Sequence, residues 1–167
     1  MILPVSATPK PSETYLNLRK QALGFKREEI GLPAPAQSTE PWGVIMDWPV
    51  GNGTATVVAI SDGTASIYLS SGGGYIGGQG HESIRKAAQK AVSVAASSQT
   101  QMQPVTADSR FPLPQKDELI FYALTDAGVF ASTVPESGLR NGSHPLTKLG
   151  GALQEVITQY CLIQPKR

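Results

Sequence analysis

The sequence predicts an α+β domain built on an antiparallel sheet, and three observations carry that expectation. Short runs rich in Val, Thr and Ile are joined by tight-turn residues such as Asp62-Gly63 and Thr125-Asp126-Ala127-Gly128, and strands joined this closely pair antiparallel. Stretches with apolar residues at helical spacing separate the hairpins. A chain of 167 residues that is 40% hydrophobic suffices for one core.

The elements follow in order. Met1 to Pro11 is Pro-rich and patternless and reads as a loose arm, leaving 12–167 as one domain. Ser12 is placed to cap a first helix with Tyr15, Leu18, Ala22 and Phe25 on one stripe and Gly24 as its stop. Leu32 to Pro41 reads as a connector. Trp42 to Trp48, Thr54 to Ile60 and Thr64 to Ser70 form a three-strand meander. A second helix over His81–Ser98 shows an Ala-rich stripe of Ile84, Ala87, Ala88, Ala91, Val92 and Ala95. After a polar loop over Gln99–Lys116, Glu118 to Leu124 and Gly128 to Thr133 make a hairpin. Ser143 can cap a last helix carrying Leu146, Leu149, Leu153, Val156, Ile157, Tyr160 and Cys161, which Pro165 ends. Gly150-Gly151 inside it points to close packing.

The order α-β-β-β-α-β-β-α thus predicts a five-stranded antiparallel sheet, three-strand meander plus hairpin, with helices segregated to one face. This order broadly resembles the roadblock, longin and profilin-like folds, small sheets crossed by helices. The likeness covers the architecture and no motif, because those folds split their strands differently around the central helix. It implies partner binding rather than catalysis.

Composition excludes several classes. A formal charge of +1 and a pI near 7.8 make no electrostatic case for nucleic acid or an anionic membrane. One cysteine, Cys161, cannot form an internal disulfide, and on an apolar stripe it reads as a buried structural thiol. Met1 to Thr8 lacks the basic and apolar regions of a signal peptide, and no apolar run is long enough to span a bilayer. Cytoplasmic is the resulting expectation.

The feature that invites chemistry is the glycine-rich segment 72–80 between the third strand and the second helix. Gly72, Gly74 and Gly77 satisfy G-x-G-x-x-G, yet no acidic residue follows within Ser97–Gln103, and the preceding strands are hairpins. Gly73 and Gly78 have P-loop separation, but Gln79-Gly80 stands where Lys-Ser/Thr is required. Val58-Ala59-Ile60-Ser61 lacks the lysine of a kinase strand. What survives is a generic anion site at a helix N-terminus, formed by Gly73, Gly74, Gly77, Gly78, Gly80, His81 and Arg85. The competing reading is steric, with glycines letting the loop cross close to the sheet and Tyr75 and Ile76 as packing anchors.

No catalytic residues, metal ligands or cofactors are assigned. Two histidines, His81 and His144, and one cysteine give a metal little to bind. A nucleophilic triad drawn from Ser70 or Ser71, His81 and Asp62 lacks any local signature. Trp42 and Trp48 read as core residues on one strand face. Glu82 is spaced to pair with Lys86, beside Arg85 and Lys90 on a solvated helix face. Two functions are therefore expected. The first is a non-enzymatic protein-interaction or regulatory module, binding a protein partner or itself as a homodimer. The second is a small-molecule or phosphate/anion-binding domain, whether a binder or an enzyme, using loop 72–80 at the N-terminus of the following helix.

Overall fold

The computed structural model describes residues 10–31, 40–106 and 111–163. The expected arm over 1–9, most of the connector after Leu32, part of the loop over Gln99–Lys116 and the Pro165 stop fall outside those residues.

The first helix, α1, runs Glu13–Leu23, and Ser12 caps it by accepting the Tyr15 amide at 3.1 Å on its hydroxyl. Strands β1 (Gly43–Val50), β2 (Gly53–Ile60) and β3 (Ala65–Leu69) form the meander. Strand β4 (Gly74–Ile76) follows, then α2 (Glu82–Ser98) and β5 (Gln103–Pro104). The hairpin β6 (Glu118–Thr125) and β7 (Gly128–Pro135) leads to a short α3 (Glu136–Arg140) and the long α4 (Thr147–Ile163).

Among the described residues the strands make one antiparallel sheet of seven, in the order β4-β3-β2-β1-β6-β7-β5. The expected five strands are all present as its centre. The two additional strands are β4, drawn from the glycine segment, and β5, drawn from the polar loop. Each is too short to show the period-two alternation by which a strand is read from sequence. Where a loop was expected after Pro135, α3 forms, and α4 begins at Thr147. His144, rather than Ser143, closes that start: its Nδ1 accepts the Leu146 amide at 3.0 Å.

Alternation along the strands builds two cores. Val44, Met46, Val57, Ala59, Ile67, Leu119, Phe121 and Ala123 face α2 and α4. Ile45, Val58, Ile60, Tyr68, Ile120, Tyr122 and Leu124 face the other way, under Tyr15, Ala22 and Leu23 of α1. Helices therefore cover both faces, not one, because the sheet's odd and even positions are both apolar and both need cover. The Ala stripe of α2 is buried as its spacing predicts, and Gly150 of α4 lies over Phe121 and Leu139.

Two further expectations change. Trp42 does not share a face with Trp48: it precedes β1 and joins the α1-side core, whereas Trp48 packs with the other. Cys161 is exposed, because inward-facing Val156 and Tyr160 turn the next position of the helix toward solvent.

Beneath α1 lies a buried ion pair. Arg19 is 6% exposed and Asp47 0%. The guanidinium donates to both carboxylate oxygens, Nε to Oδ1 at 3.2 Å and Nη2 to Oδ2 at 2.6 Å. Its remaining donors reach the Phe111 carbonyl at 2.8 Å and the Tyr122 hydroxyl at 3.2 Å. Asp47 Oδ1 also accepts the Thr56 hydroxyl at 2.7 Å, so Thr56 Oγ1 is in turn the acceptor for the Tyr15 hydroxyl at 2.7 Å. Phe111 holds a left-handed φ of 49°, a strained choice for a non-glycine residue that aims its carbonyl at the guanidinium. Burial alone would lower the Arg19 pKa, but the hydrogen bonds and charge of Asp47 outweigh it and the net shift is upward.

Asp47→Ala strands a buried guanidinium and is expected to cost about 3–5 kcal/mol in urea denaturation, whereas a paired apolar replacement, Arg19→Met with Asp47→Leu, costs far less. Burial, reinforced by the Asp47 charge, pushes the hydroxyls of Tyr15 and Tyr122 up to about 12. Both pKa values are raised on folding, so their contribution is complete below pH 10 and is lost as pH rises toward 12. Thermal unfolding followed through that window is expected to show a loss of about 2–3 kcal/mol per tyrosine, reduced by one tyrosine's share in Tyr15→Phe.

Candidate functional site

The glycine segment becomes an edge strand and two turns. Gly72 (φ 104°) and Gly73 (φ 84°) reverse the chain after β3, and the Leu69 amide donates to the Gly73 carbonyl at 3.1 Å. At Gly74 a Cβ would sit 2.0 Å from the Ile67 carbonyl oxygen, so β4 can approach β3 only with glycine there. Gly77 takes the left-handed region at φ 73°, and a single turn of 3₁₀ helix over Gly78–Gly80 delivers the chain to α2.

One side chain on α4 clamps this path. The Tyr160 hydroxyl accepts the Gly78 amide at 2.9 Å and donates to the Ala65 carbonyl at 2.5 Å, tying the turn to the start of β3. Burial raises the Tyr160 pKa, opposed by the Gly78 hydrogen bond, so the hydroxyl remains a donor at neutral pH. A Cβ on Gly78 would lie 2.5 Å from that hydroxyl. Tyr75 stacks on the Tyr160 ring with centroids 5.4 Å apart.

The residues expected at an anion site are placed as follows. Gly73, Gly74, Gly77 and Gly80 are exposed, and Gly78 is buried against Tyr160 and Ile84. His81 occupies the N-cap position of α2 with an extended backbone, and its carbonyl accepts the Arg85 amide at 3.0 Å. The stem of Arg85 lies across Gly63 in the turn between β2 and β3. Glu82 and Lys86 pair at 3.0 Å as their spacing predicts. The structure separates the conceivable triad: Asp62 precedes β3 and Ser70 follows it, so a strand's length of roughly 3.3 Å per residue lies between them. Ser70 is engaged in accepting the Thr54 amide at 2.8 Å. Among the described residues no three His, Cys, Asp or Glu side chains group as metal ligands.

Among the described residues, the outer side of β4 pairs with no further strand. Tyr75 packs inward on Tyr160 yet is 38% exposed, and Ile76, expected to anchor the loop, is 70% exposed. Ile76 pairs with Ser66 and so points to the α1 side, beyond the reach of the core. Sequence reading missed this edge because glycines mask a three-residue strand. It also missed the Arg19–Asp47 pair, although an Asp in mid-strand on the same face as Ile45 is the signal that could have revealed it.

Tyr160→Phe leaves the Gly78 amide and the Ala65 carbonyl without their partner, and is expected to lower the unfolding free energy by about 1–3 kcal/mol in urea denaturation. Hydrogen exchange at Gly78 is expected to quicken beyond what that global loss accounts for.

No family model, curated protein or solved structure matches the chain.

Proposed function

We propose that this chain is a non-enzymatic protein-interaction module that self-associates through β4, two copies pairing edge to edge in antiparallel fashion. The observation that carries the reading is the chemistry of that edge. Natural sheets blunt exposed edges with charge, proline or cover. From Ser70 to Gly80 the chain holds no Asp, Glu, Lys, Arg or His, and β4 presents exposed Tyr75 and Ile76. The opposite edge differs: β5 carries Pro104, which has no amide to offer a further strand. Among the described residues, one edge carries a proline that cannot donate and the other pairs with no further strand.

The buried charges support the same reading. Among the described residues Arg19 and Asp47 are the only buried charged side chains, and each spends its hydrogen-bonding capacity on the other and on neighbours that hold α1 in place. The element order read from sequence broadly resembles roadblock, longin and profilin-like folds, a resemblance that implies partner binding.

Sedimentation equilibrium over a wide concentration range tests it. A reversible dimer is expected, weakened at least about tenfold, or about 1.4 kcal/mol, by Ile76→Lys, which places a charge on the pairing edge. A chain that stays monomeric throughout, or a dimer indifferent to Ile76→Lys, would overturn the assignment.

A further inference from the structure

The backbone of β4 carries a register for the second copy that meets it. In an antiparallel pair, successive residues turn their amide and carbonyl alternately toward one neighbour and the other. On β3 that phase is fixed at both ends. The Ile60 amide donates to the Thr64 carbonyl and the Ser70 amide to the Thr54 carbonyl, each at 2.9 Å, so Ser66 and Tyr68 between them also face β2. Ile67 and Leu69 therefore face β4, and the Leu69 amide does donate to the Gly73 carbonyl at 3.1 Å. Tyr75 lies opposite Ile67, so its own amide and carbonyl are directed at β3. Gly74 and Ile76, on either side of it, turn theirs outward, where no further strand lies among the described residues.

Each copy thus presents two donors and two acceptors, on residues two apart. A two-fold axis can bring two such edges together in few ways. With the axis on Tyr75, Gly74 lies opposite the partner's Ile76 and every outward group is bonded. With the axis on Ile76, Gly74 would meet the partner's Gly78, whose amide is already held by the Tyr160 hydroxyl at 2.9 Å. With the axis on Gly74, Ile76 would meet the partner's Gly72, whose amide is held by the Leu69 carbonyl at 2.9 Å. A slip of one residue sets the outward groups against those of Tyr75, which face β3.

The geometry points to a homodimer whose two-fold axis passes through Tyr75, with Gly74 and Ile76 of each copy exchanging hydrogen bonds with Ile76 and Gly74 of the other. This register rests on the edge pairing proposed above. It also decides what meets on each face. Opposed residues that exchange no hydrogen bonds approach to about 4.5 Å between Cα atoms, and Tyr75 already stacks on Tyr160 on the α4 side, with centroids 5.4 Å apart. The two exposed Tyr75 rings therefore meet at the axis, each backed by the Tyr160 of its own copy. On the α1 side, Ile76 lies beside the partner's Gly74, where no side chain obstructs it.

Single cysteines read the register. Cys161→Ser removes the one native thiol and serves as the background. In it, Tyr75→Cys puts two thiols directly opposite, about 4.5–5.5 Å apart at Cβ and close to disulfide geometry. Ile76→Cys puts them on a diagonal of about 7–8 Å. Under mild oxidation the Tyr75→Cys chain is expected to form covalent dimer at least about tenfold faster than the Ile76→Cys chain. Sedimentation equilibrium of the background chain accompanies this. A reversible dimer in which Ile76→Cys cross-links as fast or faster overturns the register and leaves edge pairing standing, whereas a chain that stays monomeric overturns both. Tyr75→Ser is expected to weaken association at least about tenfold, and association that it leaves unchanged overturns the meeting of the rings.

Discussion

The buried contact between Arg19 and Asp47 is the constraint around which the α1 face is organised. An ion pair out of water is tolerated only when every donor and acceptor finds a partner, and here five segments supply them. Asp47 comes from β1, Thr56 from β2, Tyr122 from β6, Tyr15 and Arg19 from α1, and the Phe111 carbonyl from the segment before β6. Slipping any strand by one residue would turn its member of this group to the opposite face. The pair thus adds little net attraction over an apolar pair of the same volume, but it distinguishes one arrangement of these segments from the alternatives.

That constraint also shapes what lies at the two ends of α1. At its start, the Ser12 amide donates to the Ser70 carbonyl at 2.8 Å, holding the helix to the end of β3. At its finish, Leu23 and Phe25 pack with Trp42 in the core beneath the helix. The other face depends on a lighter device. There Tyr160 reaches from α4 into the glycine turn and supplies, with one hydroxyl, partners for two backbone groups that a proper strand would have paired. The glycines at 74 and 78 are required by close approach: a side chain at either would collide with the Ile67 carbonyl or with Tyr160.

How much of this could be read from the residues follows from the range of the forces involved. The five central strands and the three long helices were legible, because hydrophobic periodicity and turn chemistry act within a few residues. The Ser12 cap and the Glu82–Lys86 pair were legible for the same reason. The strands β4 and β5 were not, since their pairing is dictated by neighbours already in the sheet rather than by their own pattern. Covering both faces was hidden too, because Ile45, Val58 and Ile60 on one side and Val44, Met46 and Val57 on the other give β1 and β2 two apolar faces, which a one-sided reading flattens. Trp42 escaped because it lies before β1 and outside its alternation. The glycine segment drew attention as a place for chemistry, while its most evident structural work, at Gly74 and Gly78, is steric.

The centre of the sheet has a consequence for how the chain reaches this structure. β1 pairs with β2 through a tight turn, yet its other neighbour is β6, with Asp47 opposite Ile120. Between them the chain must travel out through β3 and β4, cross by α2, and return past β5. The meander and the β6–β7 hairpin can each form from local contacts, but joining them requires closing that whole excursion, an entropic toll met before the pairing returns anything. The seam between β1 and β6 is therefore expected to close late in folding. Until it closes, Ile45, Met46, Ile120 and Phe121 are bare on half-built sheets, and a newly made chain is at its most vulnerable to aggregation.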